Sequence, residues 1–169
     1  MNKRALKYAI PLAAIAAGGF DEPADAGPLF LKIGDIEGES TAPKHEGEID
    51  VLAWSWGVTN EAIDGKTGGK ALVSPIKIIK SFDAASNALI LAAIKGQNFS
   101  DARLTATRPD KEGSEFEYLA ITLNNVLVTK VAAGGKDTEN GIAETISLEF
   151  QKIELEYKLE DGKTSTKAC

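Results

Sequence analysis

From Gly27 onward, apolar and alternating runs of a few residues are cut by clusters of Gly, Asn, Asp and Pro, a pattern that predicts a mainly β domain. Two strand-like runs come first, residues 29–33 and 49–56, joined by a polar connection holding Gly34, Gly38, Pro43 and Gly47. The second run ends in Trp54-Ser55-Trp56-Gly57. Tryptophans two apart on a strand share a face, and each ring can bury about 150–250 Å². Trp54 and Trp56 are therefore expected to anchor a core. Residues 58–71 read as a polar loop containing Gly65, Gly68 and Gly69, followed by a strand over 73–82 with Ile76, Ile78 and Ile79.

One helix is predicted. Asp83 is its N-cap, residues 84–95 carry good helix formers, and Gly96 closes it. Leu89, Ile90, Ala93 and Ile94 make the expected apolar face. Residues 101–108 and 116–123 form a hairpin across the tight polar loop 109–114, and Asn124-Asn125 introduces a bend before 126–131. Residues 134–140 are a further exposed loop. The last strand, 143–157, alternates through Ile146, Leu148 and Phe150 and again through Ile153, Leu155 and Tyr157. Its phase slips at Gln151-Lys152, which predicts a bulge or a corner. Glu149, Glu154 and Glu156 should face water. The polar tail 158–169 carries no such pattern and is expected to be unstructured.

Composition adds bounds. The 169 residues are 43% hydrophobic and 26% charged, which suits one soluble domain over residues 27–157. A formal net charge of −6, with acidic residues spread along the chain, excludes a nucleic-acid backbone as the expected partner. The single cysteine, Cys169, allows no internal disulfide. Residues 1–26 differ from the rest: Lys3, Arg4 and Lys7 precede an uncharged apolar stretch over 8–20, and Ala24-Asp25-Ala26 follows. That order reads as a secretory signal, or alternatively as an uncleaved N-terminal extension. The stretch falls short of the roughly 20 apolar residues of a membrane-spanning helix.

The chemistry is sparse. His45, the only histidine, sits in the loop before the tryptophan run and is given a surface or loop-packing role. Zinc would need several His or Cys ligands. Ser55 lacks a nucleophile-elbow context. Residues 34–39 lack the ligand spacing of a calcium loop, and residues 65–69 lack a phosphate-binding order. No catalytic, metal or cofactor site is expected.

The motifs resemble the haemolysin-coregulated protein (Hcp) family, the inner-tube subunit of type VI secretion systems. They are Leu31-Lys32-Ile33-Gly34-Asp35, Gly38-Glu39-Ser40, His45 and residues 48–57. Glu117-Tyr118-Leu119, Ile121-Thr122-Leu123, Val126-Leu127-Val128 and the closing 144–157 run continue the likeness. The family's helix start survives in part, as Lys80, Asp83 and Ser86 without the inner lysine. The resemblance implies a small β-barrel of two packed antiparallel sheets with one flanking α-helix, assembling as hexameric rings that stack into a hollow tube. On a regular strand Ser55 points away from both tryptophans, which makes it a lumen candidate. Gly65, Gly68, Gly69, Pro109, Asp110, Lys111, Glu112 and Gly113 are the expected ring-stacking loops. The implied partners are further copies of the chain and the sheath, spike or effector proteins of a secretion system, with no membrane span. Three classes follow: a secreted tube subunit doubling as carrier, a subunit of an extracellular filament reached through the periplasm, and a barrel enzyme or ligand-binding module, which the missing catalytic cluster disfavours.

Overall fold

The computed structural model describes residues 27–60, 70–135, 141–159 and 163–168. In chain order the elements are β1 (Leu29–Ile33), β2 (Ile49–Val51), β3 (Ala53–Ser55), β4 (Val58–Asn60), β5 (Ala71–Val73), β6 (Ile76–Ser81) and α1 (Ala85–Lys95). They continue with β7 (Asn98–Pro109), β8 (Glu115–Gly135), β9 (Ile142–Glu149), β10 (Lys152–Lys158) and β11 (Thr164–Ala168). The described residues are mainly β, with one helix and two antiparallel sheets. The large sheet runs β2-β1-β7-β8-β9-β6-β3, with β10 beside β8 and β11 beyond it. The small sheet is the ribbon β4–β5.

Residues 49–56 were expected as one strand, and the structure divides them. β2 pairs with β1, while β3 pairs with β6. The alternation explains the break: Ile49 and Val51 are buried, Leu52 is exposed, and the inward phase resumes one residue late at Trp54. The two ends of the large sheet are thus consecutive pieces of chain, and the sheet curls until they meet at Leu52. The Leu52 N–H donates to the Ile79 carbonyl at 2.8 Å. No ladder joins β2 to β6 among the described residues, so the expected barrel is not closed by strand pairing.

The phase slip at Gln151 is a corner shared by two strands. Leu127 faces Glu149 and Asn124 faces Lys152, so the register is the same on both sides of the break. The buried positions of β8 move from Ile121 and Leu123 to Val126 and Val128, just as those opposite move from Ile153 to Leu148. Asn125 takes φ 50° to make the turn, and its Nδ2 donates to Gln151 Oε1 at 2.9 Å. β8 runs unbroken through the expected bend. The tail also differs from expectation, because Thr164–Ala168 pairs antiparallel with β10.

Around α1, Asp83 caps as expected. Its Oδ1 accepts the Ala85 N–H at 2.9 Å, and its own N–H donates to Ser86 Oγ at 2.9 Å, a reciprocal capping box. Gly96, at φ 60°, ends the helix, and the Gln97 N–H reaches the Ala92 carbonyl at 2.9 Å. The buried face is Ala85, Ser86, Leu89 and Ala92, rotated from the expected one; Ile94 is 76% exposed. Small residues at the contact let the helix lie close to the sheet.

A close backbone approach fixes the loop between β1 and β2. The Gly38 N–H donates to the Gly47 carbonyl at 2.8 Å, and a Cβ on Gly38 would stand 2.3 Å from the Glu48 carbonyl oxygen. Gly38→Ala must push backbone away from backbone, and overpacking of this kind costs about 1–3 kcal/mol. Thermal melts of Gly38→Ala and Gly47→Ala check this, since Gly47 has open space for a Cβ. Gly47→Ala meets only the left-handed backbone penalty, about 1–2 kcal/mol.

Candidate functional site

The tryptophan segment presents two faces. In the ladder, Trp54 stands beside Ile78, which stands beside Ile146, which stands beside Val131. Ile78 and Ile146 are fully buried, and Trp54, Trp56 and Val131 are half-buried against that core. Trp56 lies just past β3, and its indole Nε1 is covered without a hydrogen-bond partner among the described residues. The next row, Ser55, Lys77, Ser147 and Lys130, points to the other face of the sheet. Ser55 is half-buried there.

The loop at residues 109–113 is built by one carboxylate. Asp110 Oδ1 accepts the N–H groups of Glu112 and Ser114, both at 2.8 Å. The Asp110 N–H donates to the Ser114 carbonyl at 2.8 Å, and Gly113 supplies φ 82°. This rigid turn leaves Pro109, Lys111, Glu112 and Gly113 exposed at the tip of the β7–β8 hairpin, with Asp110 half-buried beneath them. Gly65, Gly68 and Gly69 lie outside the described residues, as do residues 1–26 and Cys169. The ribbon leading into that first loop exposes Val58, Leu72 and Val73, each about half accessible. A two-stranded ribbon is marginal alone in water, so these side chains suit contact with another surface.

Sequence reasoning missed a buried ion network. Lys80 is fully buried, and its Nζ donates to Glu144 Oε1 at 2.7 Å, Asp83 Oδ1 at 2.6 Å, Ser86 Oγ at 3.2 Å and the Ser81 carbonyl at 2.8 Å. Ser86 Oγ also donates to Glu144 Oε1 at 2.8 Å. Three elements, β6, the start of α1 and β9, are joined at one point. Glu39 of the β1–β2 loop adds a fourth, its Oε1 accepting the Ala84 N–H at 3.0 Å. The signal was present in Lys80, Asp83 and Ser86, but their common partner lies far along the chain.

His45 is buried, not a surface residue. Its ring stacks on Phe30 with centroids 4.1 Å apart, and its Nδ1 is 2.9 Å from Glu48 Oε2. The stack explains why Phe30 is buried although it points away from Leu29 and Leu31 on β1. Of the two roles expected for this histidine, it has the loop-packing one.

Among the described residues no group of three or more His, Cys, Asp or Glu side chains is placed to hold a metal ion, and no helix is long and apolar enough to cross a membrane. The charged groups that do converge, Lys80, Asp83 and Glu144, are buried or nearly so and pair with one another. The arrangement is built to hold surfaces in place.

Comparison with known proteins points the same way. The family model described as type VI secretion system effector, Hcp, matches residues 30–157. Protein hcp1 of Pseudomonas aeruginosa is 37% identical over 134 residues, 77% of this chain and 82% of that protein. The crystal structure of Hcp1 from Salmonella typhimurium superposes with a TM-score of 0.72 at 30% identity, covering 83% of this chain and 92% of that one. A type VI secretion system effector from Yersinia pestis gives a TM-score of 0.72 at 28% identity, covering 83% and 98%.

Proposed function

Because this chain belongs to the Hcp family of type VI secretion, a family of structural tube proteins and not of enzymes, we propose that its copies close into hexameric rings and that the rings stack into a hollow tube. The observation that carries the reading is the match over residues 30–157, which takes in the tryptophan segment, the helix and the β7–β8 hairpin together. Closing one head-to-tail contact gives a ring, and repeating a second, non-closing contact gives a filament. In this reading Ser55 faces the lumen, and the loops around Gly65–Gly69 and Pro109–Gly113 meet the neighbouring ring. The tube would in turn meet sheath, spike and effector proteins.

Negative-stain microscopy and native mass spectrometry of the purified chain test the assembly; rings of six are expected, and a strictly monomeric species at high concentration would sink it. The stacking loops are separately accessible. Lys111→Ser with Glu112→Ser is expected to change folding stability by no more than about 0.5 kcal/mol while shifting tubes toward single rings. Unchanged tube lengths under the microscope would remove residues 109–113 from the contact.

A second reading is favoured by one feature, the basic, apolar and small-residue order of residues 1–26. If that segment is cut on export, the same subunit would build an extracellular filament by way of the periplasm. The N-terminal mass of the secreted protein decides: a start at Met1 excludes cleavage, and a start at Gly27 supports it.

A further inference from the structure

A groove of about 570 Å³ lies between α1 and the turn that leaves β1, within the range of sites that take ligands, about 300–1,000 Å³. Phe99, buried, forms its floor. A Cβ on Gly34 would stand 2.6 Å from the Phe99 ring, so the bare Gly34 backbone keeps that floor open. One wall is α1, where Ala88 and Leu91 lie three residues apart on one side of the helix. Ala88 is exposed and Leu91 is 47% exposed, on the side away from the buried face. Half-buried Ile36 stands in the facing wall, and its N–H donates to the Ile33 carbonyl at 3.1 Å to close the turn. The charged side chains in the lining are Asp35 and Asp101, both carboxylates and both exposed. The groove is apolar within and negative at its edge.

We infer that this groove is the docking site of the chain's own N-terminal segment, residues 3–15. That stretch combines Lys3, Arg4 and Lys7 with Leu6, Ile10, Leu12 and Ile15, and no acidic residue comes before Asp21. Its basic and apolar side chains complement the two carboxylates and the apolar walls. The length of chain fits as well. Gly27 lies against the Thr107 carbonyl, near the far end of β7 from Asp101. β1 carries the chain from there to Gly34 over roughly 24 Å, and residues 20–26 fully extended span about the same distance. A tethered segment also docks at an effective concentration on the order of mM, which a free peptide of this sequence would lack. The inference is independent of ring formation. It concerns the chain that keeps residues 1–26, and cleavage after Ala26 would bare the groove.

Hydrogen exchange of the purified full chain beginning at Met1, read by mass spectrometry over residues 3–15, tests this. Those amides are expected to exchange about tenfold or more slowly than in a free peptide of the same sequence. Leu91→Asp should abolish the protection, whereas Leu72→Asp, an exposed position on the β4–β5 ribbon, should leave it unchanged. Asp35→Lys with Asp101→Lys should weaken it, and adding Lys3→Glu, Arg4→Glu and Lys7→Glu to that variant should restore it. The charge variants sit at exposed positions on the domain, and a common urea midpoint shows that they fold. Free exchange of residues 3–15 in the wild type, or protection indifferent to Leu91→Asp and to the charge reversal, overturns the inference. Protection that grows with protein concentration also overturns it, by placing the segment on a second copy. Native mass spectrometry of the same samples reads ring formation separately, so failure of the ring reading leaves this result standing.

Discussion

Lys80→Ala should lower folding stability by about 3–5 kcal/mol, the range found when one partner of a buried ion pair is removed. The substitution takes away the cation that lies between Asp83 and Glu144, and Glu144 has no exposure to water. Its Oε2 already lacks a partner among the described residues, so Glu144 would keep only the Ser86 hydroxyl. Glu144→Ala is the milder change, because Lys80 retains Asp83, Ser86 Oγ and the Ser81 carbonyl. Lys80→Met with Glu144→Leu should recover much of the loss, since apolar groups of similar size need no partner. Urea titrations with a common slope measure all three. A Lys80→Ala midpoint within about 1 kcal/mol of the wild type would mean that water reaches the network.

The same network shows where sequence reading stops. Alternation alone puts Lys80 on the inward side of β6 after Ile76 and Ile78, and Glu144 on the inward side of β9 before Ile146 and Leu148. Two buried charges of opposite sign can be paired only once β6 and β9 are known to be neighbours, which is a fact of topology. Features written within a few residues were legible: the Asp83 cap, the Gly96 stop, the β7–β8 hairpin and the phase slip at Gln151. The break at Leu52 was written too, but an apolar stretch from Ile49 to Trp56 hides the lost residue of phase. β11 had no local signal of burial. Thr164–Ala168 is held by backbone pairing with β10, which leaves no mark in the apolar pattern of the sequence. For the candidate site, the opposed directions of Ser55 and Trp54 were readable, whereas Lys77 and Lys130 joined Ser55 only through the ladder.

Ile146→Ala and Ile94→Ala separate burial from hydrophobicity as causes of stability. Ile146 is fully enclosed, with Ile78 beside it on β6 and Val131 beside it on β8. Truncation there removes transferred apolar surface and leaves a cavity that a strand held on both edges cannot close, at a cost of about 2–5 kcal/mol. The row continues through Ile78 to Trp54, so loosened packing should also shift tryptophan fluorescence to the red before the global transition. Ile94 belongs to the apolar face that the helix sequence suggests, yet it is 76% exposed. Its truncation should change stability by about 0.5 kcal/mol or less. Denaturant midpoints for the two variants decide the matter: equal losses would mean that α1 packs through Ile94, and that the face made by Ala85, Leu89 and Ala92 is assigned wrongly. A large loss for Ile146 alone places the stability of the tryptophan segment in the sheet that backs it, so that its other face is left free for contacts outside the subunit.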